Sequence, residues 1–320
     1  MAIDFKALLR AERAKARAGY GCAAGMAPAE APASLATAVP EPASCSFRLS
    51  AGSSRARLHV VDGAPPTVQH VRDWVSVAEE AAMLQAVADG SAGRWTPLRG
   101  RRLQNFGGVP HPAPEGMVQE PMPGWVASVL EELVAAGVFP ADAPPNHVLL
   151  NEYEPGQGIA PHRDGPLYAP TVAILSLGSA CAFDFVRNDT ERGLLASLLL
   201  PPRGLLVFTG AAYHQHLHTV PAVAVDNSRP GRIRLDLAEE GQQPPHEMGG
   251  AAGSGALPPP PPRGRRVSLT VRRVLCIAGA PSGAPGRAAA IDRPAPAAAP
   301  PYLACETGTR QLGSHPIDEA

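Results

Sequence analysis

The chain is poor in aromatics, which make up 5% of its 320 residues. Proline (37) and glycine (32) exceed a fifth of it instead. Much of such a sequence cannot bury enough apolar surface to offset its ordering entropy. Cysteine is equally sparse. The five residues, Cys22, Cys45, Cys181, Cys276 and Cys305, are scattered, and none forms a CxxC pair. That argues against a disulfide framework or a zinc ribbon and for a reducing compartment. A net charge of −1 gives no global field toward nucleic acid or membrane. No apolar run approaches the roughly 18 residues of a membrane span, so no membrane partner is expected.

The order expected along the chain is uneven. Residues 1–55 read as a disordered tail, opening with a short basic, helix-favouring stretch over 4–17. Residues 281–320, rich in alanine and proline, read as a second one. Between them, 56–280 forms the folded domain. Ser76 followed by Glu79 is a capping box, so a helix starts there. Residues 125–134 carry apolar positions three and four apart and form a second helix.

After these the period changes to two. Strands are expected at 147–153, 171–177, 182–186, 194–200, 204–208 and 266–274. Helices followed by short strands between Gly/Pro turns imply an α+β fold, with a jelly-roll core and a supporting helical layer. Residues 222–263, with their Pro and Gly/Ala stretches, read as a disordered insertion between two strands.

Three polar constellations stand out. In His162-Arg163-Asp164, residues i and i+2 of an extended segment project to one side. A second histidine completes a set of two imidazoles and one carboxylate, which suits ferrous iron with positions left open. His214, His216 and His218 alternate, and spacing alone does not choose among them. Second, in 266–272, Arg266, Ser268, Thr270 and Arg272 share one face. Buried arginine is rare unless paired, so this face implies an internal dicarboxylate. A basic edge strand is the alternative. Third, residues 94–106 hold four arginines, two aromatics and no acid. Such a segment can neutralise phosphates, with Trp95 or Phe106 stacking an extruded base. The plainer alternative is a basic loop anchored by its aromatics.

Asn151 and Tyr153, the run from Pro161 to Tyr168, the Tyr213 to His218 spacing and Arg266 to Arg272 together resemble the AlkB family of Fe(II)/2-oxoglutarate dioxygenases. Residues 102–111 and 146–178 are similar to the branch of the sixth eukaryotic AlkB homologue. The resemblance spans roughly 60–277 and implies a double-stranded β-helix. It implies Fe(II) as the metal, held by His162, Asp164 and His218, with His216 as the fallback. It implies 2-oxoglutarate and O2 as co-substrates. Arg266 would pair the distal carboxylate of 2-oxoglutarate and Arg272 would hold the metal-bound end. Asn151, Tyr153 and Ser268 would complete that site, although many relatives have Asn where Ser268 stands.

The activity implied is oxidative demethylation of alkylated nucleic acid bases, releasing formaldehyde, succinate and CO2. A protein hydroxylase or demethylase, and a non-catalytic binding module, are the alternatives. Tyr168, which closes the iron motif, joins Trp95, Arg102 and Phe106 as a candidate substrate contact. Two residues beyond Asp164, several DNA-repairing relatives carry an acid where this chain has Pro166. Base recognition is therefore expected to differ. A monomer in the nucleus, the cytoplasm or both is expected.

Overall fold

A computed structural model describes residues 47–49, 57–90, 95–238, 242–247 and 257–279. The basic stretch 4–17 and residues 281–320 lie outside the described residues. The elements run β1 (His59–Val60), β2 (Val68–Val71), α1 (Val77–Gly90), β3 (Thr96–Leu98), β4 (Arg101–Phe106) and α2 (Gly124–Ala135). Then come β5 (His147–Tyr153), β6 (Ile159–His162), β7 (Thr171–Leu177), β8 (Cys181–Arg187), β9 (Leu194–Leu200) and β10 (Leu205–Thr209). The short helix α3 (Gly210–His214), β11 (His216–Val220), a 3-10 turn (Leu235–Leu237) and β12 (Arg266–Arg272) complete the series.

Two antiparallel sheets make the jelly roll. The large one has the order β1-β2-β10-β7-β12-β5-β4-β3 and the small one β6-β11-β8-β9. Period-two alternation divides the large sheet into two faces. Val148 and Leu150 of β5, with Val267, Leu269 and Val271 of β12, pack on one side against α1 and α2. The opposite side turns Tyr153, Ile174 and Phe208 toward Phe183, Phe185 and Leu198 of the small sheet.

The capping box forms as expected. The Ser76 amide donates to Glu79 Oε2 at 2.8 Å, and the Glu79 amide donates to Ser76 Oγ at 3.2 Å. α2 is buried along Trp125, Val126, Val129 and Leu133. Strand β12 is central, paired to β5 on one side and β7 on the other, which removes the edge-strand alternative.

Two expectations about order are corrected. Residues 47–49 belong to the expected tail, yet Leu49 is buried in the helix-side core and its amide donates to Ser128 Oγ at 3.1 Å. The insertion 222–263 is also anchored over its described parts. The Ile233 amide donates to Ser197 O, and the Leu199 amide donates to Ile233 O, which docks the segment on β9. Arg234, 1% exposed, pairs with Asp236 at 2.7 Å and Glu247 at 3.3 Å. Composition concealed this because a few apolar residues, Ile233 and Leu235 among them, and buried ion pairs hold a long proline-rich connection. Residues 239–241 and 248–256 lie outside the described residues.

One corner is closed by bare backbone. The Gly158 amide donates to Gly100 O at 3.0 Å. A Cβ on Gly100 would lie 2.6 Å from Gly158 O, and one on Gly158 would lie 2.2 Å from Val220 O. The β3–β4 hairpin, the approach to β6 and the end of β11 therefore meet without side chains between them.

Candidate active site

A cavity of about 570 Å³ opens between the two sheets. Leu103, Asn151 and Arg266 line it from the large sheet, and Ile159, Phe183 and His218 from the small one. His162, Asp164 and His218 converge here, with one ligand-type atom from each lying within 4.8 Å of the others.

Strand pairing brings these residues together. The β6–β11 register sets His218 opposite His162, with ring centroids 4.3 Å apart. Phe183 stacks on His218 at 5.6 Å with planes 13° apart, and Phe208 packs at 5.2 Å. The carbonyl of Ala160 lies 2.9 Å from His162 Nδ1 and can only accept, so Nδ1 carries the proton and Nε2 keeps its lone pair. Gly165, at φ +80°, turns the chain away immediately after Asp164.

Protonation states suit a metal. Burial, then the neighbouring His162, pushes His218 down to about 3. Burial likewise lowers His162. Burial alone would raise the Asp164 carboxyl, but the charged surroundings, the Arg272 guanidinium first among them, outweigh it and hold it below its ordinary range. Two neutral imidazoles and a carboxylate are the forms that ligate.

The hydrogen bonds left unmade are equally informative. Arg272 Nη1 donates to Asp164 Oδ1 at 2.7 Å, while Oδ2 is buried without a partner. Arg266 Nη2 donates to Ser176 Oγ at 2.9 Å, while its Nε has none. Nε and Nη2 of Arg272 are also unpartnered. Buried polar atoms are ordinarily satisfied. An acceptor awaiting a cation lies in one cavity with donors awaiting an anion, which fits a metal ion together with a small diacid.

The other expected residues divide by face. Asn151 and Tyr153 line the cavity, and Ser268 is paired in register with Asn151. Tyr168 lines it too and packs its ring 4.2 Å from the Arg272 guanidinium. Trp95, Arg102 and Phe106 do not line it. Arg102 donates to Glu152 at 2.6 Å and lies 4.4 Å over the Trp95 ring. Phe106 packs edge-on against Trp125 in the helix-side core. Segment 94–106 is a β-hairpin from Thr96 onward, not a loop, and the period of two in β4 turns Arg102 and Phe106 away. Their neighbours Arg101, Leu103 and Asn105 face the cavity instead. Sequence reasoning missed Arg101, although alternation against Asn151 and Tyr153 was the signal available. Of the alternating histidines, His214 ends α3 and His216 begins β11, and neither lines the cavity.

Residues 109–272 match the 2OG-Fe(II) oxygenase superfamily. The chain belongs to it. This oxygenase is 38% identical over 226 residues to a zebrafish (Danio rerio) protein named probable RNA/DNA demethylase ALKBH6, covering 68% of this chain and 89% of the relative. That places it among the AlkB homologues. It is 30% identical over 224 residues to the mouse (Mus musculus) tRNA (carboxymethyluridine(34)-5-O)-methyltransferase ALKBH8, covering 67% of this chain but 31% of that longer protein. The solved structure of OsALKBH1 aligns with a TM-score of 0.43 at 14% identity, covering 65% of this chain and 98% of that one. As a member of the superfamily, the oxygenase uses Fe(II), 2-oxoglutarate and O2.

Proposed function

We propose that this oxygenase removes alkyl groups from nucleic acid bases by oxidation. His162, Asp164 and His218 hold the iron, and the observation that carries this is the division of the Asp164 carboxylate. Arg272 engages Oδ1 and leaves Oδ2 for the metal. Arg272 thereby fixes the carboxylate's orientation and keeps it charged. Arg266, with its unpartnered Nε, takes the far carboxylate of 2-oxoglutarate. Asn151, Tyr153 and Ser268 complete the polar wall. Bound together, iron, 2-oxoglutarate and O2 supply the oxidation, which delivers oxygen to the N-alkyl carbon and yields succinate, CO2 and formaldehyde. Leu103, Ile174 and Phe183 exclude water from the reacting end.

The nucleic acid substrate is supported by the name of the zebrafish relative and by the cavity mouth, where exposed Arg163 and Arg192 can engage phosphates. Tyr168 is available to flank an extruded base. Trp95, Arg102 and Phe106 take no part in this reading.

Formaldehyde release from matched panels of methylated DNA, RNA and peptides tests the proposal. Release from a nucleic acid, lost in His162→Ala, is expected. Turnover confined to peptides refutes it. An anaerobic titration with Fe(II) and 2-oxoglutarate should give a visible charge-transfer band in the native protein and none in His162→Ala.

A further inference from the structure

The charges of the cavity do not balance. Its charged lining residues are Arg101, Arg163, Asp164, Arg192, Arg266 and Arg272. Asp164 is the one acid among the described lining residues, and its carboxylate is already bonded to Arg272. Glu152 on β5 projects from the opposite face, to Arg102 and Arg265. A ferrous ion and a 2-oxoglutarate dianion carry equal and opposite charge, so loading the site leaves the positive excess in place.

Arg101 is the cation that matters most for a substrate. Arg163 and Arg192 are exposed, so water and salt screen them. Arg266 and Arg272 line the polar end of the cavity assigned above to the co-substrate and the metal. Arg101 is partly buried, and its Nε donates to a neutral amide oxygen, Asn151 Oδ1, at 2.9 Å. Among the described residues no carboxylate pairs with it. Its guanidinium is held below its ordinary range, by burial first and also by Arg272, as expected for a cation in a positive field.

We propose that this cavity selects an uncharged alkylated base over a cationic one, with Arg101 setting the preference. The inference rests on the reading that an alkylated base is the substrate. Alkylation at certain ring nitrogens, as in 1-methyladenine, leaves the ring cationic near neutral pH. Alkylation of an exocyclic amine, as in N6-methyladenine, leaves it neutral. The first kind of ring is favoured by a negative group beside it, and none is free among the described lining residues. Pro166 and Leu167, which follow the iron motif along the cavity wall, are uncharged. The second kind requires donors, acceptors and apolar walls, which Arg101, Asn105, Leu103 and Ile174 offer.

The test uses two short RNAs of one sequence, carrying either N6-methyladenine or 1-methyladenine at a single position. Each is titrated onto the full chain loaded with Mn(II) and N-oxalylglycine, and formaldehyde release is followed separately with Fe(II) and 2-oxoglutarate. The neutral base should bind about ten-fold more tightly, as a like charge a few ångströms away in a partly screened site implies. That ratio should shrink toward unity in Arg101→Gln and persist in Arg101→Lys, whereas a merely structural role would weaken both RNAs alike. Equal affinity, tighter binding of the cationic base, no measurable binding of either, or an unchanged ratio in Arg101→Gln overturns the proposal. Demethylation of neither base, with the affinity ratio intact, removes both marks from the substrates of the proposed function and leaves charge selection standing.

Discussion

The two faces of β12 differ in how burial is used. On the helix side, Val267, Leu269 and Val271 are fully buried and carry no side-chain polar atom to satisfy. On the cavity side, Arg266, Ser268, Thr270 and Arg272 are nearly as buried, yet three nitrogens of the two arginines lack partners. Burial alone therefore does not separate the structural face from the chemical one. Hydrogen-bond satisfaction does. Each unsatisfied buried group costs roughly 1–3 kcal/mol, so the cavity face draws stability from its neighbour until ligands arrive.

The sharpest way to break this contrast is at the iron ligands. Asp164→Ala should reduce bound Fe(II) and turnover to background, measured by metal content after desalting and by succinate formation. Retained stoichiometric iron would remove Asp164 from the ligand set. On the other face, Leu269→Ala should cost about 2–5 kcal/mol in denaturant unfolding, with co-substrate affinity of the folded protein unchanged. A large loss of affinity there would mean the two faces are coupled.

Arg266→Ala should weaken 2-oxoglutarate binding by roughly 1.5–3 kcal/mol, or about ten- to a hundred-fold, with Fe(II) content near normal. Unchanged affinity in calorimetry would reassign the arginine. Away from both faces, Ser76→Ala should cost about 1 kcal/mol in the same unfolding assay and leave turnover intact, since it removes only the cap of α1.

The sequence made some of this organisation legible and concealed the rest for identifiable reasons. Strand 171–177 was readable from its β-branched, almost wholly buried residues, and 147–153 from its apolar run and the Pro155-Gly156 stop that follows it. The identity of the second imidazole was not readable from spacing, since three histidines alternate. Cross-strand register decides which one stands opposite His162, and register is a tertiary property. Segment 94–106 misled because four arginines and two aromatics in one stretch suggest a single substrate-facing surface. As a paired strand it divides them, sending Arg101 inward and Arg102 outward to Glu152. The insertion misled because proline and glycine dominate its composition. Arg234, buried among Asp236, Glu247 and the carbonyl of Pro258, anchors it through ion pairs that composition cannot reveal.

The meeting of Gly100 with Gly158 bears on how such a pocket can be retuned. Main chain against main chain leaves no side chain there to lengthen or shorten, so the spacing of the two walls at that corner is fixed by peptide geometry. Guests of another size must instead be met by side chains, such as Asn188 and Arg192, which reach the cavity from the β8–β9 turn.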